Sequence, residues 1–270
     1  MATRIWISEI KFSDDTTLQF EKDDIVVFVG PNNAGKSASL KESATLLRAK
    51  TNKGKVLKDI TIEKEGDETE FFSHLQAYST KHFGGNPHPH YQGFGYNIYE
   101  PSAKSWWTNY KNGLSDLYSL FVNILSTEQR IQAANPAQNI KLTTQAIQHP
   151  IHFLQKDDLL EQRFSDYFRQ AFGTDLIVHR NAGSEVPLYI GEKPIPKAGE
   201  DRVSSTYLRE LEKLDLLHEQ GDGMRSFVGV LLNAFISNHS ILFIDEPEAF
   251  LHPPQARLLG KMLAKDLPSA

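Results

Sequence analysis

Ile25-Val26-Val27-Phe28-Val29 runs directly into Gly30-Pro31-Asn32-Asn33-Ala34-Gly35-Lys36-Ser37, and the reading of this stretch decides the fold. Five apolar residues in a row, four of them β-branched, read as a strand buried on both faces, as in the centre of an α/β sheet. The next eight residues fit G-x-x-x-x-G-K-[ST]. Leu40, Ala44 and Leu47 then share one helical face, so the motif lies between a strand and a helix. The chemistry accounts for the residue types. Gly30 and Gly35 allow backbone conformations that a β-carbon would hinder, so that successive amides can turn inward on phosphate oxygens. A helix starting near Gly35 adds the positive end of its dipole. Lys36 is expected to reach the β- and γ-phosphates, and Ser37 to offer its hydroxyl to Mg²⁺. The expected nucleotide-binding residues are therefore Gly30, Pro31, Asn32, Asn33, Ala34, Gly35, Lys36, Ser37 and Ser39.

A second apolar strand, Ile241-Leu242-Phe243-Ile244, ends in Asp245-Glu246. Carboxylates that emerge at the C-terminal end of a buried strand stand where ligands of α/β sheets bind. Asp245 is expected to hold Mg²⁺ through water, together with Ser37. Glu246, next in line, is expected to orient or deprotonate an attacking water, with Lys36 as the other catalytic residue. ATP and Mg²⁺ are the cofactors this pairing implies.

Working outward, Arg4–Phe12 and Thr16–Phe20 read as strands on either side of the turn Ser13-Asp14-Asp15. Residues 51 to about 100 read as strands and loops, with Ile60 and Ile62 alternating and Gly84–Gly95 a surface loop. Residues 105–172 read mainly as helices, with Leu160, Phe164, Tyr167 and Ala171 as one stripe. Leu176–His179 and Val186–Ile190 flank Arg180-Asn181-Ala182-Gly183-Ser184 as a hairpin. Helical spacing returns at Tyr207, Leu211 and Leu214, and again at Met224, Phe227, Leu231 and Phe235. The expected organisation is a nucleotide-binding core from 1–50 and 200–270, with 51–200 an inserted β and helical region assigned to dimerisation.

Composition narrows the classes. The 270 residues carry 29 Lys+Arg against 34 Asp+Glu, a net charge of -5, so no global basic field advertises nucleic acid. With 40% hydrophobic residues the chain is ordinary globular material. The absence of Cys excludes a disulfide scaffold, a thiol nucleophile and a Cys-ligated zinc site, and fits a cytoplasmic setting. No apolar run approaches the roughly 18 residues of a membrane span, so no membrane partner is expected. No long apolar N-terminal stretch suggests a secretory signal.

Read together, these segments resemble the ABC-type ATPase heads of the SMC/RecF-like group, and more closely the ATPase domain of the OLD (overcoming lysogenization defect) family endonucleases. GPNNAGKS at 30–37 is similar to a Walker A motif, QGDGMRSF at 220–227 to the family's variant of the ABC signature, and ILFIDEPEAFLHP at 241–253 to Walker B running into the D-loop. FVNILSTEQR at 121–130 is similar to the matching part of OLD-like ATPases. The resemblance implies an α/β ABC-type P-loop head with a mixed sheet, an antiparallel β lobe and an inserted helical region. It implies that Gln220, Gly221, Asp222 and Gly223 contact a nucleotide held by another copy, with ATP sandwiched in a head-to-tail homodimer or higher oligomer. Asp222 would bring a negative charge there, which Arg225 could offset. His252 takes the place of the usual D-loop aspartate. The resemblance also implies defence against phage and gating of DNA processing through a nuclease domain or partner. A further core strand with a switch histidine, and a Toprim nuclease domain, are expected after the last residue. Two alternatives stand beside this reading: an SMC/RecF-type repair ATPase without nuclease, and the nucleotide-binding subunit of a transporter.

Other signals are weaker. His82, His88 and His90, with His74 nearby, could bind metal but read better as a solvated loop. Trp106-Trp107 with Tyr99 and Tyr110 could stack on nucleic acid but lack interleaved basic residues, so core packing is expected. Arg130 could face the nucleotide, a partner or a surface carboxylate. Gln76 and Gln92 are both candidates for the Q-loop glutamine.

Overall fold

The computed structural model describes residues 3–50, 54–236 and 239–266. The described residues divide into two compact units, one of 3–50, 54–124 and 239–245, the other of 125–236 and 246–266.

In the first unit β1 (Arg4–Phe12) is the middle strand of an antiparallel sheet, between β2 (Thr17–Gln19) and β3 (Leu57–Glu65). The turn into β2 forms because Asp14 accepts a hydrogen bond from the Thr16 amide at 2.9 Å and Asp15 takes a left-handed φ of 70°. Ile7 faces Ile62 and Ile10 faces Ile60, with an irregularity between Ile7 and Glu9. Ile5, Ile10, Ile60 and Ile62 are buried in one core. Helix α1 (Lys36–Arg48) packs on β3 and buries Leu46 and Leu47.

Helix α2 (Glu68–Ala77) corrects the assignment of 51–100 to strands and loops. Its signal was present: Asp67 and Glu70 close a reciprocal capping box, and Phe71 and Leu75 bury the face that follows. A second antiparallel sheet joins β4 (Thr80–His82), β5 (His90–Gly93) and β6 (Tyr96–Tyr99). Helices α3 (Glu100–Thr108) and α4 (Tyr118–Phe121) complete the unit. Trp107, from α3, stacks on Phe71 at 4.6 Å between ring centroids, with Lys64 Nζ 4.1 Å from its ring. Strand β7 (Val122–Leu125) pairs with β13 (Ile241–Ile244).

The run Ile25–Val29 departs from expectation. Among the described residues it belongs to no sheet, and Val27 and Val29 are 73% and 85% exposed. β-branched side chains favour an extended backbone, but burial of both faces needs a strand on each side. The partners of β1 are β2 and β3, and the partner of β13 is β7, so no described strand pairs with the run. In place of one mixed sheet, the described residues form a mixed α/β architecture with five small sheets of two or three strands.

The second unit begins with α5 (Thr127–Gln132), β8 (Ala137–Gln138) and α6 (Ile151–Lys156). Helix α7 (Asp158–Phe172) starts where Asp157 accepts from the Leu159 and Leu160 amides and stops at Gly173, whose φ of 75° favours glycine. Of the expected stripe, Phe164 and Tyr167 are buried and Leu160 and Ala171 half-buried, while Phe168, outside that stripe, is buried beside them. The hairpin appears as β9 (Asp175–Val178) antiparallel to β11 (Leu188–Gly191), while β10 (Glu185–Val186) turns aside to pair with β8. Helix α8 (Ser205–Leu211) places Tyr207 and Leu211 against Ile177 and Tyr189, and β12 (Asp215–Leu216) extends the sheet beside β11. Helix α9 (Asp222–Phe235) is buried at every position from Ser226 to Phe235. Phe227 and Phe235 meet Phe172 and Tyr167 at 5.3 and 5.4 Å between ring centroids. Helix α10 (Pro253–Lys265) closes the unit.

Glu161 of α7 is 2% exposed and lies between two arginines. Arg180 Nη2 is 2.8 Å from Glu161 Oε2, and Arg202 donates through Nη1 and Nη2 at 2.5 and 2.6 Å. Burial opposes the charge on Glu161, but the arginines and the Val178 amide outweigh it and hold the carboxyl below its ordinary range.

Candidate nucleotide site

The loop before α1 is shaped by backbone conformation. Asn33 has φ 64° and Gly35 has φ 90°, both left-handed; asparagine tolerates this region and glycine suits it. A Cβ at Gly30 would come 3.2 Å from the Ala34 Cβ across the loop. Pro31, Asn32, Asn33 and Ala34 are exposed. Gly35 caps α1 without a side-chain acceptor, so the first amides of the helix have no side-chain cap there. Lys36 folds back over the loop and donates to the carbonyls of Gly30 and Pro31 at 2.9 and 3.0 Å. Ser39 is buried, and its hydroxyl donates one turn back to the carbonyl of Gly35, the residue that caps α1, at 3.0 Å.

Ser37 and Asp245 are 208 residues apart in sequence, and Ser37 Oγ donates to Asp245 Oδ1 at 2.8 Å. Strand β13 carries Asp245 at its end and α1 carries Ser37 in its first turn. A hydroxyl and a carboxylate held together offer two hard oxygen donors, the donor type that Mg²⁺ takes. Exposed loop backbone, one ammonium and two converging oxygens can receive a phosphate chain with its counter-ion.

Residues 57–269 match the model of the family described as "AAA domain, putative AbiEii toxin, Type IV TA system". The chain belongs to this family. It is a family of P-loop ATPases. The matched span takes in Asp245, Glu246, Gln220–Gly223 and His252, while the phosphate loop precedes it. No curated protein and no solved structure matches the chain.

The other expected residues of this AAA-domain protein fall in the second unit. Glu246 is exposed, and its φ of 49° is left-handed. Gln220 donates to the Leu216 carbonyl at 3.1 Å, and Gly221 is the N-cap of α9. Asp222 is paired with Arg225 at 3.2 Å, and Arg225 also donates to Asn135 Oδ1 at 3.1 Å. A Cβ at Gly223 would meet the Phe250 carbonyl oxygen at 2.8 Å, so this glycine seats α9 on the turn after Glu246. His252 is exposed, and Ala256 donates to its carbonyl as α10 begins.

Gln76 lies on α2 and donates to the Tyr91 hydroxyl at 3.4 Å, whereas Gln92 is exposed on β5. His82 and His90 face each other across β4 and β5 with rings stacked at 5.6 Å. Among the described residues no group of three His, Cys, Asp or Glu could hold a metal ion. Trp107 is core, not a stacking platform. No described helix is long and apolar enough to cross a membrane. Arg130, for which the sequence left three readings open, is fully buried and donates to the Glu246 carbonyl.

Proposed function

We propose that this P-loop ATPase is the ATP-hydrolysing module of an OLD-like nuclease system, working in defence against phage through an ABC-type head. The contact between Ser37 Oγ and Asp245 Oδ1 carries the reading. It brings together two residues from opposite ends of the sequence, next to a lysine folded over the loop, and so supports a phosphate site here. In this reading the amides of 30–36 and Lys36 hold the β- and γ-phosphates. Ser37 and Asp245 would hold Mg²⁺, which neutralises phosphate charge when bound.

Glu246 orients a water and takes its proton as the water oxygen bonds to the γ-phosphorus. The bond from that phosphorus to the β–γ bridging oxygen breaks, and ADP leaves with the electron pair. Gln220–Gly223 at the start of α9 contact the γ-phosphate held by a second copy, so that the ATP state sets dimer geometry and gates DNA processing by a nuclease. The family's description, which names a toxin of a toxin–antitoxin system, supports a second use of the same centre as a nucleotide-dependent effector.

The test is a titration with a fluorescent ATP analogue beside a turnover assay. Lys36→Ala is expected to abolish binding, and Glu246→Gln to keep binding while stopping turnover. Unchanged binding by Lys36→Ala would remove the phosphate-loop assignment.

A further inference from the structure

Arg130 is 0% exposed, the largest fully buried side chain of the described residues. A guanidinium out of water is costly unless its donors are engaged, so its partners indicate what it is for. Helix α5 is fixed at its start by a capping box: Ser126 Oγ accepts from the Gln129 amide at 3.3 Å and Gln129 Oε1 from the Ser126 amide at 2.9 Å. The helix thereby presents Arg130 inward. Its Nη2 donates to Thr127 Oγ1 at 3.2 Å and to the Glu246 carbonyl at 3.0 Å. The same carbonyl accepts from the Ala249 amide at 2.9 Å.

That carbonyl belongs to an unusual piece of backbone. Glu246 has φ 49° and precedes Pro247, and both facts make the conformation unfavourable for a residue with a β-carbon. Such a conformation persists only where its surroundings over-determine it. The surroundings are helix-borne. Gly229 lets α9 close on α5, because a Cβ there would collide with the Arg130 carbonyl. Nearer the start of α9, Gly223 and Ser226 abut Phe250 and Ala249, the far end of the same turn.

We infer that Arg130 is a positioning residue, whose buried guanidinium clamps the backbone at Glu246 and so sets the direction of the glutamate side chain. This rests on the reading of Glu246 as the group that orients the water, and it adds a residue that never touches nucleotide. Arg130 acts on kcat through the turn, leaving ATP binding to the phosphate loop.

The test compares full-chain wild type, Arg130→Met and Arg130→Lys. In Arg130→Met kcat falls roughly tenfold or more, while KM and the affinity for the fluorescent ATP analogue stay within about threefold. Arg130→Lys recovers part of the loss, since an ammonium can still donate to the Glu246 carbonyl. In a Glu246→Gln background Arg130→Met causes no further loss. Hydrogen exchange at the Ala249 amide accelerates in Arg130→Met, while the amides of β9 and β11 keep their rates. Unchanged exchange at Ala249, or a raised KM with kcat intact, would overturn the inference. If the wild type does not turn over ATP, the ATPase reading fails, and the exchange at Ala249 alone decides the clamp. If Arg130→Met does not fold, Arg130→Lys carries both readouts at reduced amplitude.

Discussion

Gly229→Ala sets two effects of opposite sign against each other. In a helix interior alanine is favoured over glycine by about 1 kcal/mol, so on an open face the substitution stabilises. At Gly229 the new Cβ would lie against the oxygen, the carbonyl carbon and the Cα of Arg130. All three are backbone atoms, so none can swing aside and α9 must move off α5. Overpacking of this kind costs about 1–3 kcal/mol, and a backbone obstacle puts it at or above the upper end. The net loss is about 2 kcal/mol, which at roughly 2–4 °C per kcal/mol lowers Tm by about 4–8 °C. Gly260 in α10 is the internal control, because a Cβ there meets nothing within 4 Å. Gly260→Ala should therefore raise Tm by a few degrees, on the order of 1 kcal/mol. Thermal melts of the two variants beside wild type decide the matter. A Gly229→Ala variant as stable as Gly260→Ala would refute the close approach of α5 and α9.

Two further outcomes concern the second unit. Glu161→Gln leaves Arg180 and Arg202 with the exposed Asp158 as their shared carboxylate among the described residues, and should cost about 3 kcal/mol, read as a lower urea midpoint. An unchanged midpoint would show that the cluster is solvent-screened. Burial, with the neighbouring His152 adding to it, pushes His149 down from 6.5 to about 4. The folded value lies below the unfolded one, so this stability is fully present above about pH 6.5 and is lost as pH falls toward about 4. Urea midpoints across that window should decline, and His149→Gln should flatten the decline; a profile that stays level in wild type would contradict the burial of His149.

How far these features were legible depends on whether their causes are local. Lys36, Ser37 and Asp245 stand out in the sequence because each sits in a short motif whose chemistry needs that residue type, and of these the structure brings Ser37 and Asp245 into contact. Helix α7 was readable from its stripe, and its cap at Asp157 is equally local. Helix α2 was missed although Asp67 and Glu70 advertise its start, because the polar residues around Phe71 and Leu75 mask the spacing. Ile25–Val29 misled for the opposite reason. Its composition reports strand propensity, whereas burial is decided by partners elsewhere in the chain. Arg130 could not be ranked, since an arginine in a six-residue helix is ordinarily solvated, and its burial depends on Gly229 a hundred residues on.

The central claim is that the loop at 30–37 and the carboxylate of Asp245 together form a cradle for a triphosphate and its cation. Calorimetric titration of ATP with and without Mg²⁺, for wild type and Asp245→Ala, tests it most directly. The account predicts that Mg²⁺ tightens ATP binding to wild type roughly tenfold or more and that Asp245→Ala erases that gain while keeping the Mg²⁺-free affinity. An equal Mg²⁺ gain in Asp245→Ala would contradict it.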